Sequence, residues 1–225
     1  MNAGRFHDRF AAGRRLATEL RHYAGRPDVI VLGLPRGGIP VGFEVARGLG
    51  TAFDAFLVRK LGVPGHEELA MGAIASGGTQ VLNEEVVEAL DIDEESVAAV
   101  AAHERSELER RERLYRRGAP PPEVERRTAI LVDDGLATGA TMRAAVTALR
   151  ARNPERIVAA VPVAAPRVCA ELAREVDEMI CAVTPELFGA VGSWYKRFES
   201  PTDEEVVELI DRAQASRARL EESAR

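Results

Sequence analysis

A chain of 225 residues, 46% of them apolar and 29% charged, is long enough to bury a substantial hydrophobic core. The net charge of −6 argues against a nucleic-acid-binding protein, because 30 basic residues are interleaved with 36 acidic ones and predict no broad positive surface. Cys169 and Cys181 form no CxxC pair and no ligand cluster with histidines, so we expect two reduced thiols rather than a zinc site or a disulfide.

The N-terminal sequence predicts neither secretion nor membrane insertion. Residues 1–10 carry charges and lack the apolar core of a signal peptide, and no later apolar run reaches the roughly 18 residues needed to span a bilayer. We therefore expect a soluble cytoplasmic protein with no membrane partner.

Helical and strand patterns alternate along the chain. Apolar spacing predicts a first helix over residues 6–23, and then a strand–helix–strand unit over 29–34, 41–49 and 52–59. Three later strands are predicted at 128–133, 157–163 and 179–182, and two later helices at 141–152 and 166–176. This alternation predicts an α/β fold with a mainly parallel sheet flanked by helices, whose ligand site lies at the C-terminal edge of the strands.

The first predicted strand runs into Leu34-Pro35-Arg36-Gly37-Gly38. The two glycines allow backbone N–H groups to form a concave anion site, and the guanidinium of Arg36 can donate two hydrogen bonds to phosphoryl oxygens. A tight turn with no ligand is the alternative interpretation. This loop resembles the pyrophosphate loop of the type I phosphoribosyltransferases, in which the peptide bond before the glycine is often cis; here that bond would join Arg36 and Gly37.

The next segment combines basic residues with many glycines. Arg59 and Lys60 end the predicted second strand, and residues 61–78 contain five glycines and a proline, which is typical of a mobile lid over a reactive ligand. A solvated basic strand end is the alternative for the Arg-Lys pair.

Residues 84–122 have the composition of a helical insertion. No glycine or proline occurs between Asp93 and Arg117, which predicts one long helix, and the prolines at 120–122 then form a stiff connection. The apolar stripe is thin, with Val97, Val100, Leu108 and Tyr115 near one face. Such a helix either projects from the core, packs on a second subunit of a homodimer, or is simply solvated by intrahelical ion pairs.

Residues 129–142 carry the clearest functional signal. An apolar strand runs into Asp133 and Asp134, and then into a small, hydroxyl-rich loop that opens a helix. The helix N-terminus favours an anion, Thr138 and Thr141 add hydroxyl donors, and ionised carboxylates accept hydrogen bonds from ribose hydroxyls. Ordinary turn chemistry is the alternative.

The sequence from Val132 to Thr141 resembles the phosphoribosyl pyrophosphate (PRPP) signature of the type I phosphoribosyltransferases, in the form found in adenine and xanthine enzymes. The resemblance covers about residues 28–82 and 128–200 and includes the Arg59-Lys60 pair. It implies a single phosphoribosyltransferase domain over 1–225, with the helical insertion at 84–122 and a C-terminal hood at 184–200.

The resemblance also implies roles for individual residues. Asp133 and Asp134 hold the ribose hydroxyls near the developing ribosyl cation, while Arg36 and Lys60 act on the departing pyrophosphate, and these four are the candidate catalytic residues. The PRPP-binding set is Arg36, Gly37, Gly38, Arg59, Lys60, Asp133, Asp134, Gly135, Ala137, Thr138, Gly139, Ala140 and Thr141.

The hood implies an acceptor site. Its candidate residues are Phe188, Val191, Trp194 and Tyr195, whose rings can stack on a flat heterocycle, although a hydrophobic latch on the core is the alternative. Hypoxanthine-type enzymes carry acids in the phosphate loop and after the Val-Gly of the hood, where this chain has Ala137 and the stretch Trp194-Tyr195-Lys196. A general base must then come from elsewhere, and His66, Glu67 and Glu68 on the lid are candidates.

The expected activity is transfer of the 5-phosphoribosyl group from PRPP to a nitrogen acceptor, such as a nucleobase in purine salvage, with release of pyrophosphate. Mg²⁺ is the expected cofactor and is held mainly by PRPP, so no direct protein ligand is assigned. The alternative is a regulator that binds PRPP or a nucleotide on the same fold without turnover.

Overall fold

A five-stranded parallel sheet forms the centre of the structure, a computed structural model that describes residues 4–223 apart from the side chains of residues 67, 68 and 217–223. Its strand order is β2-β1-β6-β7-β8. The strands are β1 (Val29–Gly33), β2 (Ala52–Ala55), β6 (Thr128–Val132), β7 (Arg156–Val163) and β8 (Glu178–Val183). Strands β1 and β6 are buried along their whole length, as their continuous apolar runs require. The predicted α/β class with a parallel sheet is confirmed.

Helices cover both faces of this sheet. They are α1 (Arg9–Glu19), α2 (Gly38–Leu49), α5 (Ala140–Arg150), α6 (Pro166–Leu172) and α7 (Asp203–Ser223). Helix α1 begins later than predicted because Asp8 caps it, accepting a hydrogen bond from the Ala11 N–H at 2.7 Å. Phe6 instead forms a β-bridge with Tyr195, which ties the N-terminal segment to the hood.

The predicted lid lies in a separate antiparallel sheet, and the second strand is shorter than predicted. Strand β2 ends at Ala55, and the sequence 58–82 forms β3 (Val58–Val63), β4 (His66–Ala75) and β5 (Thr79–Leu82). Most of residues 61–78 is therefore strand, and Leu61, Met71 and Ile74 are fully buried. Gly72 allows close pairing of strands here, because an added Cβ would lie 2.4 Å from the Val81 carbonyl oxygen.

The insertion contains a short helix, α3 (Glu84–Ala89), and the predicted long helix, α4 (Glu94–Arg116). Val97, Leu108 and Tyr115 of the predicted stripe are buried, and α4 packs on β3, β4 and α7 of the same chain. Of the alternatives for α4, projection from the core was therefore wrong. Arg116 anchors its C-terminal end through an ion pair with Asp54 of β2 at 3.0 Å.

The two cysteines are joined by a disulfide, so the expectation of reduced thiols was wrong. Cys169 lies on α6 and Cys181 on β8, with their Cα atoms 6.8 Å apart. The fold packs α6 on β8 and so brings the two side chains together, although their spacing of 12 residues carries no recognisable motif.

Across the part of the chain that the structure describes, no helix combines the length and apolar character needed to cross a membrane.

Candidate active site

Two loops meet at the C-terminal edge of the parallel sheet because β1 and β6 are neighbours in register, with Gly33 opposite Val132. The loop after β1 lies directly on the acids that follow β6. A Cβ added to Gly37 would lie 2.1 Å from Asp134 Oδ2, and one added to Gly38 would lie 2.4 Å from the Val132 carbonyl oxygen. Only glycine permits this approach. The predicted pyrophosphate loop and acidic pair are thus brought into contact.

Asp133 and Asp134 are half-buried, and their surroundings disfavour the charged form of each carboxyl group. Burial, followed by the neighbouring Asp134 carboxylate, raises the pKa of Asp133 well above its ordinary value. Burial also raises the pKa of Asp134, although the Arg9 guanidinium opposes the shift. Asp133 Oδ1 accepts a hydrogen bond from the Asp134 N–H at 2.8 Å, which fixes the turn between the two carboxylates.

Arg9 is the main partner of Asp134 and was not identified from the sequence. Its Nε and Nη2 lie 2.8 and 2.7 Å from Asp134 Oδ2, and its Nη1 donates to the Glu199 carbonyl oxygen at 2.7 Å. The guanidinium also lies 3.9 Å from the centre of the Phe198 ring. Arg9 is only 7% exposed, so the first residue of α1 connects the acidic pair to the hood.

The predicted phosphate loop reaches the N-terminus of α5. Ala137, Thr138 and Thr141 are exposed there, and Gly139 has a positive φ of 76° as the N-cap residue. A Cβ at Gly139 would lie 2.8 Å from Val168 Cγ1 of α6, so α6 supports the loop from behind. The unpaired N–H groups of the first helical turn lie beside Ala140 and can donate to an anion.

The basic residues of the predicted pyrophosphate end differ in their partners. Arg36 is exposed, and the peptide bond before it, Pro35–Arg36, is cis, one position earlier than expected. Arg59 Nε donates to Glu104 Oε2 of α4 at 2.5 Å. Within the described residues Arg36 and Lys60 form no ion pair, so their charges are available to a ligand.

The hood places its four candidate residues differently. Tyr195 is buried, its ring lies 5.6 Å from Phe6 and 4.9 Å from Phe198, and its hydroxyl donates to the Asp134 carbonyl oxygen at 2.6 Å. Burial, followed by the Asp134 charge, raises the pKa of Tyr195. A ring covered in this way offers no face to an acceptor, so the prediction that Tyr195 stacks on the acceptor was wrong. Tyr195 instead supports Asp134 through its hydrogen bond.

The other three hood residues are half-buried. Trp194 Nε1 donates to the Phe188 carbonyl oxygen at 2.9 Å, which closes the turn between these two aromatic residues. Val191 packs on the acidic motif, since a Cβ on Gly135 would lie 2.6 Å from Val191 Cγ1. The hood therefore rests directly on the loop that carries the acids.

The model of the phosphoribosyl transferase domain family matches residues 3–188. The chain belongs to the phosphoribosyltransferase family. Two Mycobacterium tuberculosis proteins, from strains CDC 1551 / Oshkosh and H37Rv, bear a provisional phosphoribosyl transferase name and are each 46% identical over 208 residues, or 92% of this chain. The match covers 47% of their length, so the chain spans about half of these relatives.

A solved structure has the same fold as this member of the family. The crystal structure of TT1426 from Thermus thermophilus is similar with a TM-score of 0.85 and 42% identity, covering 92% of this chain and 97% of that one. The similarity covers nearly the whole of both chains, which supports the type I architecture expected from the sequence.

The described residues contain no group of three or more His, Cys, Asp or Glu side chains arranged to hold a metal ion. Among the candidate bases, His66 is exposed at the start of β4, and the side chains of Glu67 and Glu68 lie outside the described part of the chain.

Proposed function

We propose that this protein transfers the 5-phosphoribosyl group of PRPP to a nitrogen acceptor and releases pyrophosphate. The observation that carries the proposal is the contact of the Gly37-Gly38 backbone with the Asp133–Asp134 pair, whose loop leads directly into the N-terminus of α5. These elements match the three chemical parts of PRPP, which are its pyrophosphate, its ribose hydroxyls and its 5-phosphate.

The chain's residues have distinct tasks in this reaction. Asp133 and Asp134 accept hydrogen bonds from the ribose hydroxyls, and their negative charge stabilises the positive charge that develops on the ribosyl group. Arg36 and Lys60 stabilise the pyrophosphate as the bond to ribose breaks. Ala137, Thr138 and Thr141 surround the 5-phosphate at the start of α5.

Mg²⁺ belongs to this proposal as a cofactor held mainly by PRPP, where it neutralises diphosphate charge. The acceptor is a flat nitrogen heterocycle, in the class used by purine salvage, and Phe188, Val191 and Trp194 are the residues proposed to border it. A cytoplasmic location and a homodimer are parts of the same proposal.

The test is base-dependent release of pyrophosphate. Purified protein is incubated with PRPP, Mg²⁺ and a panel of purines, pyrimidines and other nitrogen acceptors, and pyrophosphate is measured against a control without acceptor. Release with one acceptor supports the proposal and identifies that acceptor.

A PRPP-binding regulator without turnover is the second candidate. It is favoured by Ala137 and Lys196, which stand where the hypoxanthine-type enzymes carry acids, and opposed by the available charges of Arg36 and Lys60. Tight PRPP binding without release of pyrophosphate across the whole panel would select the regulator.

A further inference from the structure

Helix α4 forms one wall of a cleft of about 730 Å³ that Arg59 and Lys60, two of the residues proposed to bind PRPP, also line. Pro35, Lys60 and Thr141 line the cleft from the loop after β1, from β3 and from α5. His103 and Arg111 line it from α4. This wall belongs to the insertion at 84–122, which lies outside the sequence motifs that indicated the family.

The cleft wall is held in place by buried contacts. Val97, Ala101 and Leu108 of α4 belong to the same apolar cluster as Leu61 and Met71 of the antiparallel sheet. At the C-terminal end of α4, Arg116 Nη2 donates to the Ala55 carbonyl oxygen at 2.6 Å in addition to its ion pair with Asp54. The positions of His103 and Arg111 are therefore fixed by the core.

Tyr115 of α4 is affected by charges on α4 itself and on the loop after β1. Burial, followed by a 2.5 Å hydrogen bond to Asp203 Oδ1, raises the pKa of Tyr115 to about 12, and the charges of Arg111 and Arg36 both oppose this rise. The guanidinium groups of Arg36 and Arg111, which belong to separate elements, therefore both act on this hydroxyl.

The cleft still has positive charge to offer an anion. Glu104 pairs with Arg59, and Glu107 accepts from Arg111 at 2.8 Å while also pairing with Arg110. Lys60 and His103 form no ion pair with any described residue. An anion entering the cleft would meet Lys60 from one wall and His103 and Arg111 from the other.

We propose that α4 is part of the PRPP site and that His103 and Arg111 contact the pyrophosphate group of PRPP. This inference rests on the proposed function and adds to it the role of the insertion. Two ligands that share a sugar phosphate can distinguish this role. PRPP carries the pyrophosphate that α4 would contact, whereas ribose 5-phosphate does not.

The test compares the affinities of these two ligands by calorimetry in the presence of Mg²⁺. His103→Gln and Arg111→Gln should each weaken PRPP binding about tenfold, the effect expected of one lost hydrogen bond to a charged group. Both variants should bind ribose 5-phosphate within about twofold of the parent. Arg113→Gln is the matched control on the same helix, because Arg113 is 71% exposed and pairs only at 3.8 Å with Glu109, and it should change neither affinity.

A measurement on the parent protein tests the contact of His103 with pyrophosphate independently of the variants. The chain has four histidines, so imidazole resonances can be assigned individually. Inorganic pyrophosphate with Mg²⁺ should shift the His103 resonances, and ribose 5-phosphate should not.

Equal weakening of both ligands, or unchanged PRPP affinity together with unshifted His103 resonances, would overturn the role of α4 while leaving the proposed function intact. A parent protein that binds no PRPP at all would overturn both. The two failures are therefore distinguishable.

Discussion

Arg9 donates a hydrogen bond from Nε to Asp134 Oδ2 at 2.8 Å, and its Nη2 forms an ion pair with the same carboxylate oxygen at 2.7 Å. In the described part of the chain no hydrogen bond of Asp134 uses its other carboxylate oxygen, so that atom can accept from a ligand. The buried guanidinium therefore holds the acid in place, supplies its countercharge and joins it to the hood.

Replacing Arg9 should damage both stability and PRPP binding. Arg9→Met leaves Asp134 without its buried countercharge, and we expect a loss of about 3–5 kcal/mol in the free energy of unfolding, measured by urea denaturation. Arg15→Gln is the control on the same helix, since Arg15 is 57% exposed and pairs with Glu19, and it should cost less than about 1 kcal/mol. Similar losses in the two variants would show that the Arg9 pair is unimportant.

Replacing Asp133 should stabilise the free protein near neutral pH while weakening PRPP binding. Because the pKa of Asp133 is raised in the folded state, the unfolded chain loses this proton first, and stability falls as pH rises from the ordinary aspartate value towards the raised one. Asp133→Asn removes that penalty, and the melting temperature should rise by about 2–4 °C at pH 7.

The control for Asp133→Asn is the same pair of melting curves at a pH below the ordinary aspartate pKa. There the carboxyl is protonated in both states, so the difference between parent and variant should disappear. A difference that is independent of pH would contradict the assigned cause.

Arg36 and Lys60 should matter more for turnover than Arg59, because Glu104 already neutralises Arg59. Arg36→Ala and Lys60→Ala should each lower kcat/KM by about 10²-fold, since their charges strengthen their interaction as pyrophosphate departs. Arg59→Ala should have a clearly smaller effect. Initial rates of pyrophosphate release with the acceptor found in the panel give the comparison, and equal losses at all three positions would refute this division of roles.

The contact between Gly135 and Val191 predicts that a larger residue at position 135 destabilises the protein. Gly135→Ala places a methyl group 2.6 Å from Val191 Cγ1, which should cost about 1–3 kcal/mol in the free energy of unfolding. Adding Val191→Ala removes the clash and should recover much of that loss, as measured by a double-mutant cycle. Additive losses would show that the hood does not rest on the acidic loop as described.

The sequence predicted the parts of the fold that depend on local pattern. The continuous apolar runs of β1 and β6 identified strands buried on both faces, and the absence of glycine and proline between Asp93 and Arg117 identified α4. Since parallel neighbouring strands end at one edge, the meeting of the Gly37 loop with Asp134 also followed from the topology.

Long-range contacts escaped prediction because no local pattern encodes them. Arg9 and Asp134 are separated by 125 positions and meet only after α1 packs beneath the hood. The Cys169–Cys181 disulfide depends likewise on the packing of α6 against β8. The glycines of residues 61–78 indicated flexibility, whereas Gly72 instead permits close pairing of strands.

PRPP affinity in the parent and in the Asp133→Asn/Asp134→Asn double variant tests the central claim most directly. Calorimetry with Mg²⁺ should show PRPP binding by the parent and a loss of at least about 1.5 kcal/mol in the folded variant, because neutral amides replace charged acceptors of the ribose hydroxyls. No PRPP binding by the parent, or equal affinity in the two proteins, would contradict a PRPP site at this sheet edge.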